Sequence, residues 1–288
     1  MASTIVLRRR IKSIKNTRQI TQAQQLVAAS KLRRAQEYAQ ASRDYAEVAN
    51  DLLSRISNIG EVTQQPLFEK RAVKNCTYIL ITSNTGLAGA YNSNIIKQLT
   101  TAVAKDRAAH ITSHVIAIGK RGAQFVRRVR DIDLQSAYPG FSDHPTANDI
   151  RPILNTIVQQ YKAGQVDEVR VLYTQFKSTV VQVATNLQLL PAQPVASTQT
   201  GPAISTFEPD VETVIDQVAM RLIEAQVWQA LLESIASEHA MRMVAMKNAT
   251  DNAKDLIDDY TLELNTARQA AITQELAEIS GGAEALNG

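Results

Sequence analysis

The sequence predicts a protein in which two long terminal helices flank a central α/β domain. The distribution of helix-breaking residues supports this fold class. All eight prolines lie within residues 66–209, and neither Gly nor Pro occurs in residues 1–59 or 211–280. Because proline breaks helices and glycine weakens them, both ends of the chain are free to form long helices, whereas the middle is not.

A second observation is a heptad-like repeat along each end. Apolar and small residues recur at alternating intervals of four and three, which is the spacing of a coiled-coil seam. The simplest arrangement is an antiparallel pair formed within the chain, with the central domain inserted at one end. The first seam consists of Leu7, Ile11, Ile14, Arg18, Thr21, Gln25, Ala28, Leu32, Ala35, Ala39, Ser42, Ala46, Ala49, Leu53 and Ile56. The second consists of Ile215, Val218, Leu222, Ala225, Gln229, Leu232, Ala236, His239, Met243, Met246, Thr250, Ala253, Ile257, Tyr260, Leu264, Ala267 and Ala271.

The middle of the chain alternates strand-like and helix-like segments, which predicts a parallel or mostly parallel, Rossmann-like sheet. Strands are expected at residues 76–82, 114–119, 166–176 and 180–190, the last being one strand or a pair. Helices are expected at residues 92–105, 121–129 and 150–163. The predicted domains are a helix at 1–60, the α/β domain at 70–205 and a helix at 210–281, with a loop at 191–209. Asp210 is the expected start of the last helix, and Gly281–Gly282 its expected stop.

Charge is unevenly distributed although the net charge is only +3. Residues 1–36 contain nine basic and no acidic side chains, and residues 251–288 contain eight acidic and two basic ones. An antiparallel helix pair would bring these oppositely charged ends together. One cysteine excludes a disulfide framework, and no apolar run approaches the length of a membrane-spanning helix.

Two segments carry possible chemistry. Residues 83–92 follow a predicted strand and precede a helix, so their glycines could cradle a phosphate, but the segment has neither nucleotide-binding motif and also fits a tight strand-to-helix turn. The basic residues from Arg8 to Arg18 could contact nucleic acid or form a solvated or protein-facing helix surface. The four histidines show no metal-ligand spacing. The residues themselves therefore favour a structural rod with a lobe. A basic coiled-coil protein associated with nucleic acid, or an α/β enzyme with helical oligomerisation arms, remains open.

Five segments resemble the gamma subunit of F-type ATP synthases. They are RRRIKSIKNTRQIT at 8–21, LVAASKLRRAQ at 26–36, SNTGLAGAYN at 83–92, SEHAMRMVAMKNATDNA at 237–253 and NTARQAAITQELAEISGGAEAL at 265–286. They occur in the order typical of the family and extend over nearly the whole chain. The chain departs from the family pattern at Gln24, which is often Met, and at Asn84, Thr85 and Ala90, which are commonly Asp, Arg and Gly.

The resemblance implies a non-catalytic rotor shaft that binds no cofactor, metal or nucleic acid. The expected partners are three alpha and three beta subunits of the catalytic head, the epsilon subunit and the membrane ring of c subunits, which provide the only membrane contact. The helix pair would lie inside the head, and the α/β lobe would dock on epsilon and the ring. The resemblance implies partner contacts or coupling roles for Lys31, Arg33, Arg34, Arg242, Arg268, Gln269, Thr273 and Glu275. Length and the lack of a transit peptide favour a peripheral protein on the cytoplasmic face of a bacterial plasma membrane.

Overall fold

The computed structural model describes residues 4–57, 66–130, 132–138, 145–192 and 211–287. The chain divides into two compact units. Met1–Val27 and Met243–Gly288 form the first, which we call the terminal unit, and Ala28–Arg242 form the second, which we call the central unit. Two helices contribute to both units: α1 (Thr4–Ser57) and α5 (Val211–Asn287).

Both long helices were predicted, and both are present. Helix α5 continues through Gly281 and Gly282, so the predicted stop at this pair is wrong. A glycine in a helix costs only about 1 kcal/mol relative to alanine, and the flanking Ser280, Ala283 and Glu284 all tolerate helical geometry. The predicted helix start at Asp210, residues 58–60 and most of the predicted loop at 191–209 lie outside the described residues. The predicted domain boundaries stay a prediction.

In the terminal unit the two helices are antiparallel. The hydroxyl oxygens of Thr21 and Thr250 lie 2.7 Å apart. The guanidinium carbon of Arg10 lies 5.8 Å from the ring centroid of Tyr260. Residues nearer the start of α1 therefore lie beside residues nearer the end of α5. The buried seam side chains of this unit are Leu7, Thr21, Met246, Ala253 and Ile257.

In the central unit the same seam continues with small residues. Ala28, Leu32, Ala35 and Ala39 of α1 are buried, as predicted from the repeat. On α5 the buried seam side chains of this unit are Leu222, Ala225, Leu232, Ala236 and His239. Alanine allows helix backbones to approach closely, which accounts for a seam with few large side chains. The structure does not describe the side chains at the seam positions from Ser42 to Ile56 or the side chain of Ile215.

The central unit contains one five-stranded sheet in the order β3-β2-β1-β4-β5. The first four strands in this order are parallel, and β5 is antiparallel to β4, so the predicted mostly parallel sheet is confirmed. The strands are β1 (Asn75–Ile81), β2 (Thr112–Ile118), β3 (Asp133–Tyr138), β4 (Glu168–Phe176) and β5 (Gln182–Leu190).

Strand β3 was not predicted. Its sequence, DLQSAY, is short and polar, and its side chains alternate between exposed and half-buried. It lies at the edge of the sheet and pairs only with β2. An edge strand buries little apolar surface, so the continuous apolar run that revealed β1, β2 and β4 is absent here.

Helices cover both faces of the sheet. Helices α2 (Tyr91–Ala108) and α3 (Lys120–Val126) pack on one face through Ile95, Leu99 and Val126. Helix α4 (Ala147–Lys162) and the first part of α5 pack on the other, where Leu222, Ile223, Val227 and Leu231 of α5 join the core. The long C-terminal helix is therefore a structural layer of the α/β lobe. None of the described helices has a stretch long and apolar enough to cross a membrane.

Burial around the sheet makes stability sensitive to alkaline pH. Burial raises the pKa of the Cys76 thiol from 9.0 to about 12, with a contribution from Asp106. Burial, and then the charge of Glu233, raises the pKa of Tyr173 from 10.0 to about 12. The folded chain keeps protons that the unfolded chain releases in this range, so the free energy of unfolding falls as pH rises above about 9.

Urea unfolding at stepwise increasing pH checks this expectation. Replacing Tyr173 with Phe removes one of the groups whose pKa burial raises, so the decline in unfolding free energy should become shallower above about pH 10. Between neutral pH and about pH 8 the parent and Y173F curves should be parallel, which serves as the control. A Y173F curve as steep as that of the parent at high pH would contradict the assignment.

Candidate partner-contact surfaces

The eight residues singled out by the resemblance do not form a single site. Lys31, Arg33 and Arg34 lie on α1 in the central unit, and Arg242 lies on α5 in the same unit. The remaining four, Arg268, Gln269, Thr273 and Glu275, lie on α5 in the terminal unit. No described group of three or more His, Cys, Asp or Glu side chains is arranged to hold a metal ion.

The basic residues of α1 face two directions. Lys31 and Arg34 line a small cleft together with Tyr38 of α1 and His239 of α5. Arg33 points into solvent, and its Nε lies 3.4 Å from Oε1 of Glu37 one turn later. An exposed pair of this kind contributes little to stability. This part of α1 therefore presents positive charge both along the helix junction and outward.

Arg242 is held at the junction between α5 and the turn that follows β1. Its Nη2 donates hydrogen bonds to Glu238 Oε1 at 2.7 Å and to Thr85 Oγ1 at 3.1 Å, with a longer contact to the Gly86 carbonyl at 3.4 Å. Its Nη1 lies 3.2 Å from Nδ1 of His239. Because a guanidinium can only donate, the imidazole nitrogen is the acceptor in this contact.

This cluster, which we call the Arg242 latch, is largely shielded from water. The side chains of Arg242 and Glu238 are only 14% and 16% exposed. Loss of one partner would leave the other charge poorly solvated, so the pair is worth more than a surface ion pair. The latch thereby ties the turn to α5.

The turn at residues 83–92, considered above as a phosphate cradle, uses its polar groups internally. The backbone N–H of Ser83 donates to Asn92 Oδ1 at 3.1 Å, and the Ser83 hydroxyl donates to the Thr85 carbonyl at 2.6 Å. A side chain at Gly86 would meet Nη2 of Arg121 at 2.9 Å. The backbone N–H of Arg121 donates to the Ser83 carbonyl at 3.1 Å, and Arg242 donates to Thr85, so these bonds support the interpretation as a tight strand-to-helix turn.

A buried tyrosine lies beneath the turn. Tyr91 opens α2 and is 1% exposed. Burial raises the pKa of Tyr91, and the carboxylate of Glu238 raises it further, whereas a hydrogen bond with Ser234 and the charge of Arg242 act in the opposite direction. The phenol therefore stays neutral over the physiological range and acts as packing beneath the latch.

The C-terminal segment of α5 presents a mixed face to solvent. Arg268, Gln269, Thr273 and Glu275 are all exposed, and the Thr273 hydroxyl donates to the Gln269 carbonyl at 3.0 Å. With about 100° of rotation per helical residue, all four lie on one half of the helix. Between them runs an exposed apolar stripe of three side chains, Ile272, Leu276 and Ile279.

The resemblance to the family did not single out the residues of this apolar stripe. Ile272, Leu276 and Ile279 are 46%, 60% and 69% exposed. Their spacing of four and three is a helical-face signal present in the sequence. An apolar stripe flanked by polar side chains and lacking a cover is typical of a surface that a partner protein buries. The roles of Glu238 and Thr85 in the latch were also missed, and Thr85 has no sequence signal that points to α5.

Comparisons with known proteins agree with these features. A family model described as ATP synthase matches residues 3–286. An ATP synthase gamma chain of Herpetosiphon aurantiacus is 42% identical, with both chains covered completely. An ATP synthase gamma chain of Desulfitobacterium hafniense is 40% identical over 99% of this chain and 100% of the relative.

Chains in solved structures of ATP synthases are also similar to this chain. A chain from the central stalk and c-ring structure of the Tetrahymena thermophila mitochondrial ATP synthase has a TM-score of 0.65 and 26% identity, covering 80% of this chain and 99% of that one. A chain of the Euglena gracilis mitochondrial ATP synthase has a TM-score of 0.58 and 18% identity, covering 91% of this chain and 94% of its own. This second similarity concerns the fold.

Paired long helices, a lobe built around one of them and apolar side chains that stay exposed within the described residues are typical of a subunit of a larger assembly. Full-length relatives on both the sequence and the structure side make the assignment specific. The chain belongs to the ATP synthase gamma chain family, whose members are subunits of the ATP synthase complex.

The Arg242 latch generates a stability prediction. Replacing Arg242 with Gln should lower the free energy of unfolding by about 2 kcal/mol or more, because Glu238 loses its partner in a shielded position. Replacing Arg33 with Gln, at an exposed ion pair, should change it by less than about 0.5 kcal/mol. Urea unfolding of the parent and both variants measures these differences.

A double variant tests whether Glu238 and Arg242 stabilise the chain as a pair or independently. In E238Q/R242Q the loss should be smaller than the sum of the two single losses, since neither charge remains unpartnered. Additive losses would show that Glu238 and Arg242 stabilise the chain independently, and would contradict the latch.

Proposed function

We propose that this chain is the central rotor shaft of an F-type ATP synthase. It transmits torque between the ion-driven membrane ring and the catalytic head during ATP synthesis or hydrolysis, and has no catalytic activity of its own. The full-length match to ATP synthase gamma chains carries this proposal. The similarity to a chain of a central stalk and c-ring structure supports the position in the assembly.

The packing of α5 suits torque transfer. Leu222, Ile223 and Val227 of this helix are fully buried in the lobe core. Two hydrogen bonds add to this: Thr174 N–H to Ser234 Oγ and the Ser237 hydroxyl to the Thr174 carbonyl, both at 3.0 Å and both buried. Turning the lobe against α5 would break a packed core, so a torque applied to the lobe passes to the helix.

We assign the exposed faces to the partners named by the resemblance. The C-terminal face with Arg268, Gln269, Thr273 and Glu275 contacts the catalytic beta subunits, and its apolar stripe is buried inside the head of three alpha and three beta subunits. Lys31, Arg33 and Arg34 face acidic loops of those subunits, where charge attraction varies with rotation. The lobe docks on the epsilon subunit and on the ring of c subunits. The protein is peripheral to the cytoplasmic face of a bacterial plasma membrane.

Co-purification tests the proposal directly. A tag on this chain should capture, from detergent-solubilised membranes, a large complex with ATPase activity, and the isolated chain should hydrolyse no ATP. Turnover by the isolated chain would favour an α/β enzyme with helical arms. Recovery of DNA without ATPase subunits would favour a nucleic-acid-associated protein. Either result would overturn the rotor assignment.

The apolar stripe provides a sharper test within the complex. Replacing Ile272 and Leu276 with Ser should lower ATP-driven ion pumping by about tenfold, since each side chain contributes about 1.5 to 3 kcal/mol when a partner buries it. The matched control replaces Gln274 and Glu278 with Ser, which changes the opposite face of the same turns. That control should retain pumping.

Measurements of folding separate contact from stability. Both double variants change exposed side chains, so their unfolding free energies should stay within about 0.5 kcal/mol of the parent. Equal pumping by the stripe variant and the control would show that the stripe is not a partner contact. Loss of pumping together with loss of helical circular dichroism would show a folding defect instead.

A further inference from the structure

We propose that one edge of the sheet is a docking surface for the anionic lipid surface of the membrane. This inference rests on the proposed function, which brings the lobe to the membrane side of the complex. It goes beyond the expectation that partner subunits provide the only membrane contact. We call the surface the basic edge; it consists of Lys74, Lys105, Arg107, Arg127, Arg128 and Arg130.

The topology brings these side chains together where the parallel strands begin. Lys74 directly precedes β1, and its carbonyl accepts a hydrogen bond of 2.8 Å from the N–H of Thr112 at the start of β2. Helix α2 runs back from the end of β1 and carries Lys105 and Arg107 in its last turn. Residues 127–130 connect α3 to the start of β3. Since α2 and α3 pack on the same face of the sheet, their ends meet at the same edge.

The nearby acidic side chains are engaged elsewhere. Asp106 accepts hydrogen bonds from the Tyr78 hydroxyl at 2.6 Å and the Ser113 hydroxyl at 2.9 Å. Asp133 lies 2.8 Å from Nδ1 of His114. Asp167 accepts from the backbone N–H groups of residues 74 and 75 at 2.9 and 3.0 Å. Each of these three carboxylates therefore has a hydroxyl, backbone N–H or imidazole partner.

The positive charges of the edge are directed to solvent. All six side chains are exposed. Within the part of the chain that the structure describes, no ion pair involves Lys74, Lys105, Arg127, Arg128 or Arg130. Six basic side chains stand against four carboxylates in the segments of this edge, Asp106, Asp131, Asp133 and Asp167, so the formal charge is +2. An excess of positive charge attracts an anionic surface.

The composition of the edge favours lipid over protein. Protein interfaces have an apolar core, and the exposed large apolar side chains described in the central unit lie elsewhere: Tyr38 on α1, Leu87 in the turn, and Val180, Val181 and Val183 at the β4–β5 hairpin. An anionic leaflet requires only basic side chains, and each Lys or Arg near its surface increases binding by about fivefold.

The edge also lies on the appropriate side of the lobe. Lys162 ends α4 where the strands begin, and its Nζ lies 2.6 Å from Oδ2 of Asp216 near the start of α5. Arg242, further along α5, contacts the turn where β1 ends. The basic edge is therefore on the side where α5 begins, away from the latch.

Vesicle binding tests the inference with the full-length chain. The parent should bind mixed phosphatidylcholine–phosphatidylglycerol vesicles in a salt-sensitive manner, and pure phosphatidylcholine vesicles much more weakly. The variant K105Q/R127Q/R128Q/R130Q should lose binding by about a hundredfold or more, since each basic side chain contributes about fivefold. The matched control K97Q/K120Q/K177Q/K254Q removes the same charge from exposed, scattered positions and should lose less than about threefold.

The outcomes distinguish this inference from the rotor assignment. Equal losses in the two quadruple variants would show that net charge alone governs binding, and would overturn the inference. Unchanged vesicle binding by the edge variant, with weaker recovery of the membrane ring in detergent, would identify a protein partner and overturn it too. Capture of the ATPase complex in detergent does not depend on lipid, so its failure would count against the rotor assignment only. Unchanged urea unfolding and circular dichroism confirm that both variants fold.

Discussion

The packing of α5 into the lobe is the constraint on which the central unit depends. A helix that is buried on one face of a sheet cannot move independently of that sheet, because a packed core does not deform continuously. Leu222, Ile223 and Val227 fix the helix against the strands. The Arg242 latch adds a polar attachment between α5 and the turn that follows β1. Together they make lobe and helix one mechanical body, which is the property that a shaft requires.

The helix pair of the terminal unit is held by a mixed seam. Large side chains of Leu7, Met246 and Ile257 are buried there, together with a contact between the hydroxyls of Thr21 and Thr250. Much of the remaining surface of both helices is exposed. The apolar stripe of Ile272, Leu276 and Ile279 stays exposed in the chain itself, and the proposed contact with the head would bury it.

The apolar stripe of α5 and the basic edge of the sheet suit different kinds of partner. The stripe of α5 combines apolar side chains with Arg268 and Gln269, which suits a protein pocket that excludes water. The basic edge of the sheet has charge without an apolar core, which suits a diffuse anionic surface. The turn at residues 83–92 looks like a ligand site in sequence, yet Ser83, Asn92 and Arg121 use its groups for internal attachment. Polar residues near a strand end are thus weak evidence for a ligand.

The sequence by itself determined the two long helices and the mostly parallel sheet, because these follow from local periodicity and from the placement of Gly and Pro. It also identified the buried seam residues Leu7, Thr21, Ala28, Leu32, Ala35 and Ala39, whereas Arg18 at a predicted seam position is exposed. Tertiary structure decided the rest. Strand β3 is polar and forms only because β2 offers it an edge, and α5 passes Gly281 because its neighbours favour helix. Thr85 meets Arg242 across 157 residues. No local pattern encodes a contact between distant segments, since such contacts depend on how the sheet and helices pack.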